Sequence, residues 1–269
     1  PLQEITMKHA FLLLFLIAAF FHSTPSPCDT VENDTETMEK AVETIKEAAE
    51  QGDATAQYKL GVLYIQGVGM MQDSARACYW YRKAAEQGQM KAQYMLGLMF
   101  SKGEGVPQDF VQARQWWEKA AAQEDTTGDN NVILFANGSF YFNLYINGMA
   151  EYNLGELYSN GLGVSQDHDM ARQWWEKAAA RGFITAQLHL GYLYYQGEGV
   201  RQDYGMARQW WEKAAAQHNP SAQALVGSLY EHGEGVNKDF TTARKWYDEA
   251  CKGGFQEGCT ALERLNGHK

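Results

Sequence analysis

Five aspartates, Asp73, Asp109, Asp167, Asp203 and Asp239, recur at intervals of 36, 58, 36 and 36 residues. Carboxylates in one register are what a metal array or acid–base chemistry would need. Each stands just before a stretch of helical apolar spacing, however, where an aspartate accepts the orphan amide hydrogens of the first turn. Capping accounts for all five without a ligand. The glycine pairs Gly67/Gly69, Gly103/Gly105, Gly161/Gly163, Gly197/Gly199 and Gly233/Gly235 invite comparison with a phosphate-binding loop. They follow a helical pattern rather than a strand and lack the third glycine, so they read as left-handed helix C-caps. The seven histidines include no H-E-x-x-H and no pair at ligand spacing with cysteine, so no zinc site is expected. Asp167-His168-Asp169 falls at a helix start, where capping and solvent exposure explain it. No G-x-S-x-G, S-x-x-K or K-T-G is present, which removes the serine hydrolase and serine β-lactamase motifs. The residues offer no catalytic constellation, no cofactor site and no metal site.

What positions these residues is a repeat. Trp80, Trp116, Trp174, Trp210 and Trp246 share the spacing of the aspartates, and so do Gly61, Gly97, Gly155, Gly191 and Gly227. A fixed period of this size marks a stacked-repeat architecture. Five 36-residue units are expected, at about 53–88, 89–124, 147–182, 183–218 and 219–254. The longer interval leaves an insertion at about 125–146. In the first half of each unit, positions such as Ala56, Leu60, Leu63 and Tyr64 follow i, i+4, i+7, i+8, one face of an α-helix A. In the second half, Ala113, Trp116, Trp117, Ala120 and Ala121 repeat the pattern in a helix B. A glycine in mid-helix costs about 1 kcal/mol relative to alanine, so the five in helix A need a packing reason. A tryptophan of helix B laid over each glycine supplies one. The predicted fold class is all-α, a solenoid of helix–turn–helix repeats. Residues 39–52, with Thr44 at the tryptophan position, read as a capping half-repeat, and residues 256–265 read as a truncated helix A.

The N-terminal 27 residues are set apart as upstream sequence and a secretory leader: Met7-Lys8-His9 precedes twelve apolar residues at 10–21, too few for a membrane span. Residues 28–38 are expected to be a flexible linker, and 39–269 the solenoid. The mature chain is therefore expected to be exported, to the bacterial periplasm or beyond, with no membrane span. A formal net charge of −10 and the lack of any basic run argue against nucleic acid. Disulfides are permissible in such a chain. Cys251 and Cys259 face each other across a predicted turn, eight residues apart, and are expected to be bonded. Cys28 and Cys78 remain, the latter on the outer helix face, either bridged or as free thiols.

The recurring text A-x-x-x-L-G-x-x-Y-x-x-G-x-G-V-x-x-D-x-x-x-A-x-x-W-x-x-K-A-A-x-x-G resembles the Sel-one-like repeat family, relatives of the tetratricopeptide repeats, over about residues 39–265. The resemblance implies a right-handed superhelix with helix A lining a concave side, and an adaptor role in bacterial envelopes or at host contacts. The Cys251/Cys259 pair is similar to the repeat-to-repeat disulfide of the Helicobacter cysteine-rich subfamily, some of whose members are credited with β-lactam binding or hydrolysis. That subfamily supplies an alternative reading, a cell-wall-type ligand.

On the helix A face opposite the core, Tyr58, Tyr94, Leu98, Tyr152, Glu156, Leu188, Tyr192 and Tyr195 form a largely aromatic and aliphatic strip where a solvated face would be charged. Such a strip marks either a surface for a protein or peptide partner, or rings that solenoid curvature buries between adjacent A helices, and the two readings are compatible. The insertion carries two apolar runs joined by Asn137-Gly138, a hairpin signal. It predicts a small β-hairpin or an ordered apolar loop, with a helix extending the repeat as the competing reading; Phe135, Phe140 and Tyr141 then fold onto the concave groove or meet a partner, or a second copy of the chain.

Overall fold

The computed structural model describes residues 27–123, 134–136, 139–141 and 148–267, with side chains from residue 39 onward outside the insertion. It divides into two units, Pro1–Leu144 and Tyr145–Lys269. In the first lie α1 (Pro27–Glu50), α2 (Ala54–Gln66), α3 (Ser74–Glu86), α4 (Met90–Lys102), α5 (Phe110–Ala121) and the hairpin strands β1 (Leu134–Ala136) and β2 (Ser139–Tyr141). The second holds α6 (Met149–Asn160), α7 (His168–Ala180), α8 (Ile184–Gln196), α9 (Tyr204–Ala216), α10 (Pro220–His232), α11 (Phe240–Lys252) and α12 (Gln256–Gly267). Helices A and B pair as α2/α3, α4/α5, α6/α7, α8/α9 and α10/α11, and within each unit every pair packs on the next. The fold is an all-α repeat solenoid.

The five aspartates cap helices B: one carboxylate oxygen of each accepts a first-turn amide hydrogen, at 2.9 Å for Asp73, Asp109, Asp167 and Asp203 and 2.8 Å for Asp239. Helices A end on Gly67, Gly103, Gly161, Gly197 and Gly233, all left-handed. In mid-helix A a different constraint operates. A Cβ built on Gly61, Gly97, Gly155 or Gly191 would come under 3.0 Å from a ring of the paired helix B. The ring is not that of the periodic tryptophan but of the next residue: Tyr81, Trp117, Trp175, Trp211 and, over Gly227, Tyr247. These five are buried, at 0%, 3%, 3%, 1% and 4% exposure. One residue is 100° of helix, which turns Trp80, Trp174, Trp210 and Trp246 to a half-buried flank. There Lys177 and Lys213 lie over Trp174 and Trp210, with Nζ 3.9 and 3.7 Å from the ring centroid.

A buried glutamine ties consecutive helices. Gln57 Nε2 donates to the Ala49 carbonyl at 3.1 Å and its Oε1 accepts from Gln87 at 2.7 Å. Gln93 with Ala85 and Gln123, and Gln187 with Ala179 and Gln217, repeat the arrangement. In α6, the first helix of its unit, the position is Glu151, 2% exposed and ion-paired to Arg181 Nε at 2.8 Å. Burial pushes the Glu151 carboxyl up, against the pull of its backbone hydrogen bond and of Arg181.

The N-terminal cap is α1, whose Ala49 packs with Ala56 and Leu60. Because α1 starts at Pro27, residues 28–38 are helical backbone rather than the expected linker. Of the expected leader, 1–27, all but Pro27 lies outside the described residues. Among the described residues no helix is long and apolar enough to cross a membrane. Cys251 and Cys259 are disulfide-bonded, with Cα atoms 4.6 Å apart. Closing this eight-residue separation is worth about 2.5 kcal/mol by loop entropy; the Cys251→Ser, Cys259→Ser double variant is expected to lose about that much in urea unfolding, with the loss confined to α11–α12. Cys78 sits not on the outer face but in the core at 3% exposure, because Ala77 and Cys78 together turn inward in α3. Burial pushes its thiol up.

Candidate partner-binding face

In the first unit the expected strip is mostly core. Tyr58 and Tyr94 are 6% and 3% exposed, so neither offers a ring to a partner. The Tyr58 ring lies 5.8 Å from that of Tyr81, and the Tyr94 carbonyl accepts from Trp117 Nε1 at 3.2 Å. Leu98 is half-buried. An A helix flanked on both sides by neighbouring helices keeps only a narrow accessible strip, and an aromatic near its edge is drawn inward.

In the second unit the strip is more open. Tyr152 and Glu156 of α6 meet His189 of α8: the Tyr152 hydroxyl and His189 Nδ1 are 3.4 Å apart, and Glu156 Oε1 lies 3.8 Å from the same nitrogen. His189 stacks on Trp175 at 4.3 Å. Burial first, and then the Glu156 charge, push the Tyr152 hydroxyl up to about 12. Leu188 packs into the core around Trp211 and Ala214. Tyr192, 41% exposed, stands edge-on to Trp211 at 5.3 Å. Tyr195 turns away from the strip and donates to the Glu234 carboxylate at 3.0 Å. The equivalent residue of α10, Glu231, is 4% exposed, accepts from the Tyr247 hydroxyl at 2.7 Å and pairs with both terminal nitrogens of Arg264 on α12. Burial works against ionisation, yet these partners hold its carboxyl below the ordinary range.

Beside Tyr192 runs a groove of about 230 Å³ between α8, α10 and α12, lined by Leu225, Ser228, Tyr247, Phe255 and Glu257 among others. Ser221, Ala224, Leu225 and Ser228 line it at i, i+3, i+4, i+7 on α10. The positions of α8 that match the last three of these hold Leu188, His189 and Tyr192. The accessible strip therefore follows positions equivalent to 58, 59 and 62, and position 65 belongs to the packing. Sequence reading found two of these three; the missed residues, His189 and Leu225, sit one step along from Leu188 and from its equivalent Ala224, and the repeat register is the signal that finds them. Phe255 comes from the α11–α12 turn and Glu257 from the first turn of α12. A wider hollow of about 670 Å³ lies along the α8–α9 loop. Its Asp203 carboxylate is already engaged as the α9 cap.

The hairpin is antiparallel, with Leu134 opposite Tyr141, Phe135 opposite Phe140 and Ala136 opposite Ser139. The side chains of Phe135, Phe140 and Tyr141 fall outside the described residues. The described residues include no cluster of three or more histidine, cysteine or acidic side chains that would hold a metal.

The family model for the Sel1 repeat matches residues 54–89, 91–125, 148–183, 184–219 and 220–255. The chain is similar to a Sel1 repeat protein from Oxalobacter formigenes, at 30% identity over 86% of this chain and 83% of that one, with a TM-score of 0.64. A protective antigen of uropathogenic Escherichia coli with an SLR fold is 32% identical over 83% of this chain and 51% of its own, with a TM-score of 0.44. Cysteine-rich protein B of Helicobacter pylori is 26% identical over 36% of this chain and 74% of its own, with a TM-score of 0.35. No curated protein matches.

Proposed function

The chain belongs to the Sel1 repeat family, and from that premise we propose that it is an exported, non-catalytic scaffold that holds a protein or peptide partner on the helix A strip of its second unit. Sel1 repeat proteins serve generally as protein-interaction scaffolds. The observation that carries the site is Tyr192, a large ring 41% exposed at the rim of an apolar groove. Aromatic residues at the edge of a hollow are typical anchors of recognition surfaces. Tyr152, Glu156 and His189 extend the strip along α6 and α8, and the hairpin carrying Phe135, Phe140 and Tyr141 is the second contact. Export rests on the apolar run at 10–21. The groove is smaller than the roughly 300–1,000 Å³ usual for whole small-molecule ligands, which favours a side chain of a larger partner as its occupant.

Selection of a displayed random-peptide library on the purified protein is expected to enrich sequences that lose about tenfold or more in affinity against Tyr192→Ala, a hot-spot-sized effect. The variant itself should stay within about 1 kcal/mol of the parent in stability, as half-exposed side chains do. Enriched peptides that bind the variant equally well would place recognition elsewhere.

A further inference from the structure

We infer that the α8–α10–α12 groove is selective for a segment carrying an apolar side chain beside a lysine or arginine. The inference rests on the peptide-binding reading above and names the chemistry of the partner. The argument is electrostatic. Of the residues lining the groove, Glu257 is the one with an ionisable carboxylate, and no lysine, arginine or histidine lines it. Beneath it, the buried Glu231 is neutralised by Arg264, whose two terminal nitrogens are both engaged. Tyr247, which forms part of the floor, points its hydroxyl at Glu231 and is not free to donate to a ligand. Glu257 forms no ion pair among the described residues and is exposed at the mouth. An apolar trough with one uncompensated negative charge at its rim is complementary to an apolar group flanked by a cation, and repels an acidic segment.

The wall that carries this charge is held in place. Phe255 and Glu257 both lie inside the loop closed by Cys251 and Cys259, and Gly258 behind them is buried against the Ala250 methyl. A wall fixed before binding spares the ordering cost that a mobile turn would add on association. The groove's 230 Å³ suits one side chain such as leucine or phenylalanine, with Ser221 and Ser228 as small polar neighbours. Glu257 also occupies the first turn of α12, where a carboxylate favours the helix dipole. A capping role alone would leave peptide discrimination untouched, so the two roles separate experimentally.

The test uses two fluorescein-labelled, end-blocked peptides, Gly-Lys-Leu-Phe-Lys-Gly and its counterpart with both lysines replaced by glutamate, titrated against the full chain by fluorescence anisotropy. The lysine peptide is expected to bind up to about fivefold tighter, the upper end for one rim ion pair, with the margin shrinking as salt rises from about 0.05 to about 0.5 M. Glu257→Gln should bring the two peptides together while the unfolding midpoint falls only by the small amount that losing one helix-dipole charge brings. Ala224→Trp, which fills the trough, should weaken both. Equal affinities on the parent protein, indifference to Glu257→Gln, or no binding of either peptide would overturn the inference. If library selection still yields Tyr192-dependent sequences in that case, the groove's charge preference is wrong and the scaffold reading stands. If selection yields none, the scaffold site itself falls.

Discussion

Trp211→Ala is expected to cost the second unit about 3–5 kcal/mol, as large-to-small changes at fully buried aromatic positions do. Trp211 is 1% exposed and closes on Gly191 so tightly that an added Cβ would overlap its indole. Its Nε1 donates to the Leu188 carbonyl at 3.2 Å, so truncation also removes that hydrogen bond, although the carbonyl keeps its place in the α8 ladder. The rings of Tyr192 and Tyr195 rest on it at 5.3 and 5.4 Å, and the binding strip should lose its anchor together with the packing. The neighbouring Trp210→Ala is the informative control. That ring is half-buried under Lys213, and its loss should cost about 1–2 kcal/mol. Urea unfolding of the two variants, with hydrogen exchange to localise the loss, decides the matter. Equal costs would mean that the periodic tryptophan, rather than its neighbour, is the structural keystone.

Arg264→Ala is expected to destabilise the C-terminal end by about 3 kcal/mol at neutral pH, because it leaves the Glu231 carboxylate buried with only the Tyr247 hydroxyl. Arg264 is itself half exposed, and water replacing its head keeps the loss near the lower end for a broken buried pair. The pH dependence follows from the sign. The folded-state pKa of Glu231 lies below its ordinary value, so its contribution is complete above the unfolded glutamate's value of about 4.3 and fades as pH falls through the folded one. In the variant, burial without the arginine raises the carboxyl's pKa instead, so protonation relieves the strain. The gap between parent and variant, about 3 kcal/mol at pH 7, should therefore close towards pH 3. A gap of constant size across that range would show that Arg264 acts through packing of its methylenes, not through charge.

Much of the scaffold was legible in the residues. The spacing of glycine, aspartate and tryptophan reports local geometry: a left-handed cap, an N-cap carboxylate and a 3.6-residue period are properties of a few consecutive residues, and each is written where it acts. The Cys251–Cys259 pairing belongs to the same class, since eight residues span a single turn. Legibility stopped at distinctions of one residue. Tyr58, Tyr94 and Tyr152 share one repeat position, yet the first two are buried and Tyr152 is tied up with Glu156 and His189; the open ring is Tyr192, at the position that Glu156 holds in its own repeat.

The sequence by itself determined that this chain is a row of paired helices, how each helix begins and ends, and that no familiar catalytic motif is written along it. Only the tertiary structure decided which ring lies on the glycine, that Glu231 is a buried strut rather than a surface charge, and that a groove forms where α8, α10 and α12 converge. The physical reason is range. Caps and periods arise from interactions within a turn or two of helix, whereas exposure and charge compensation depend on groups 30 or more residues away, as Arg264 is from Glu231 at a separation of 33. A repeat makes that difference acute, because identical local text is placed in unlike surroundings along the stack.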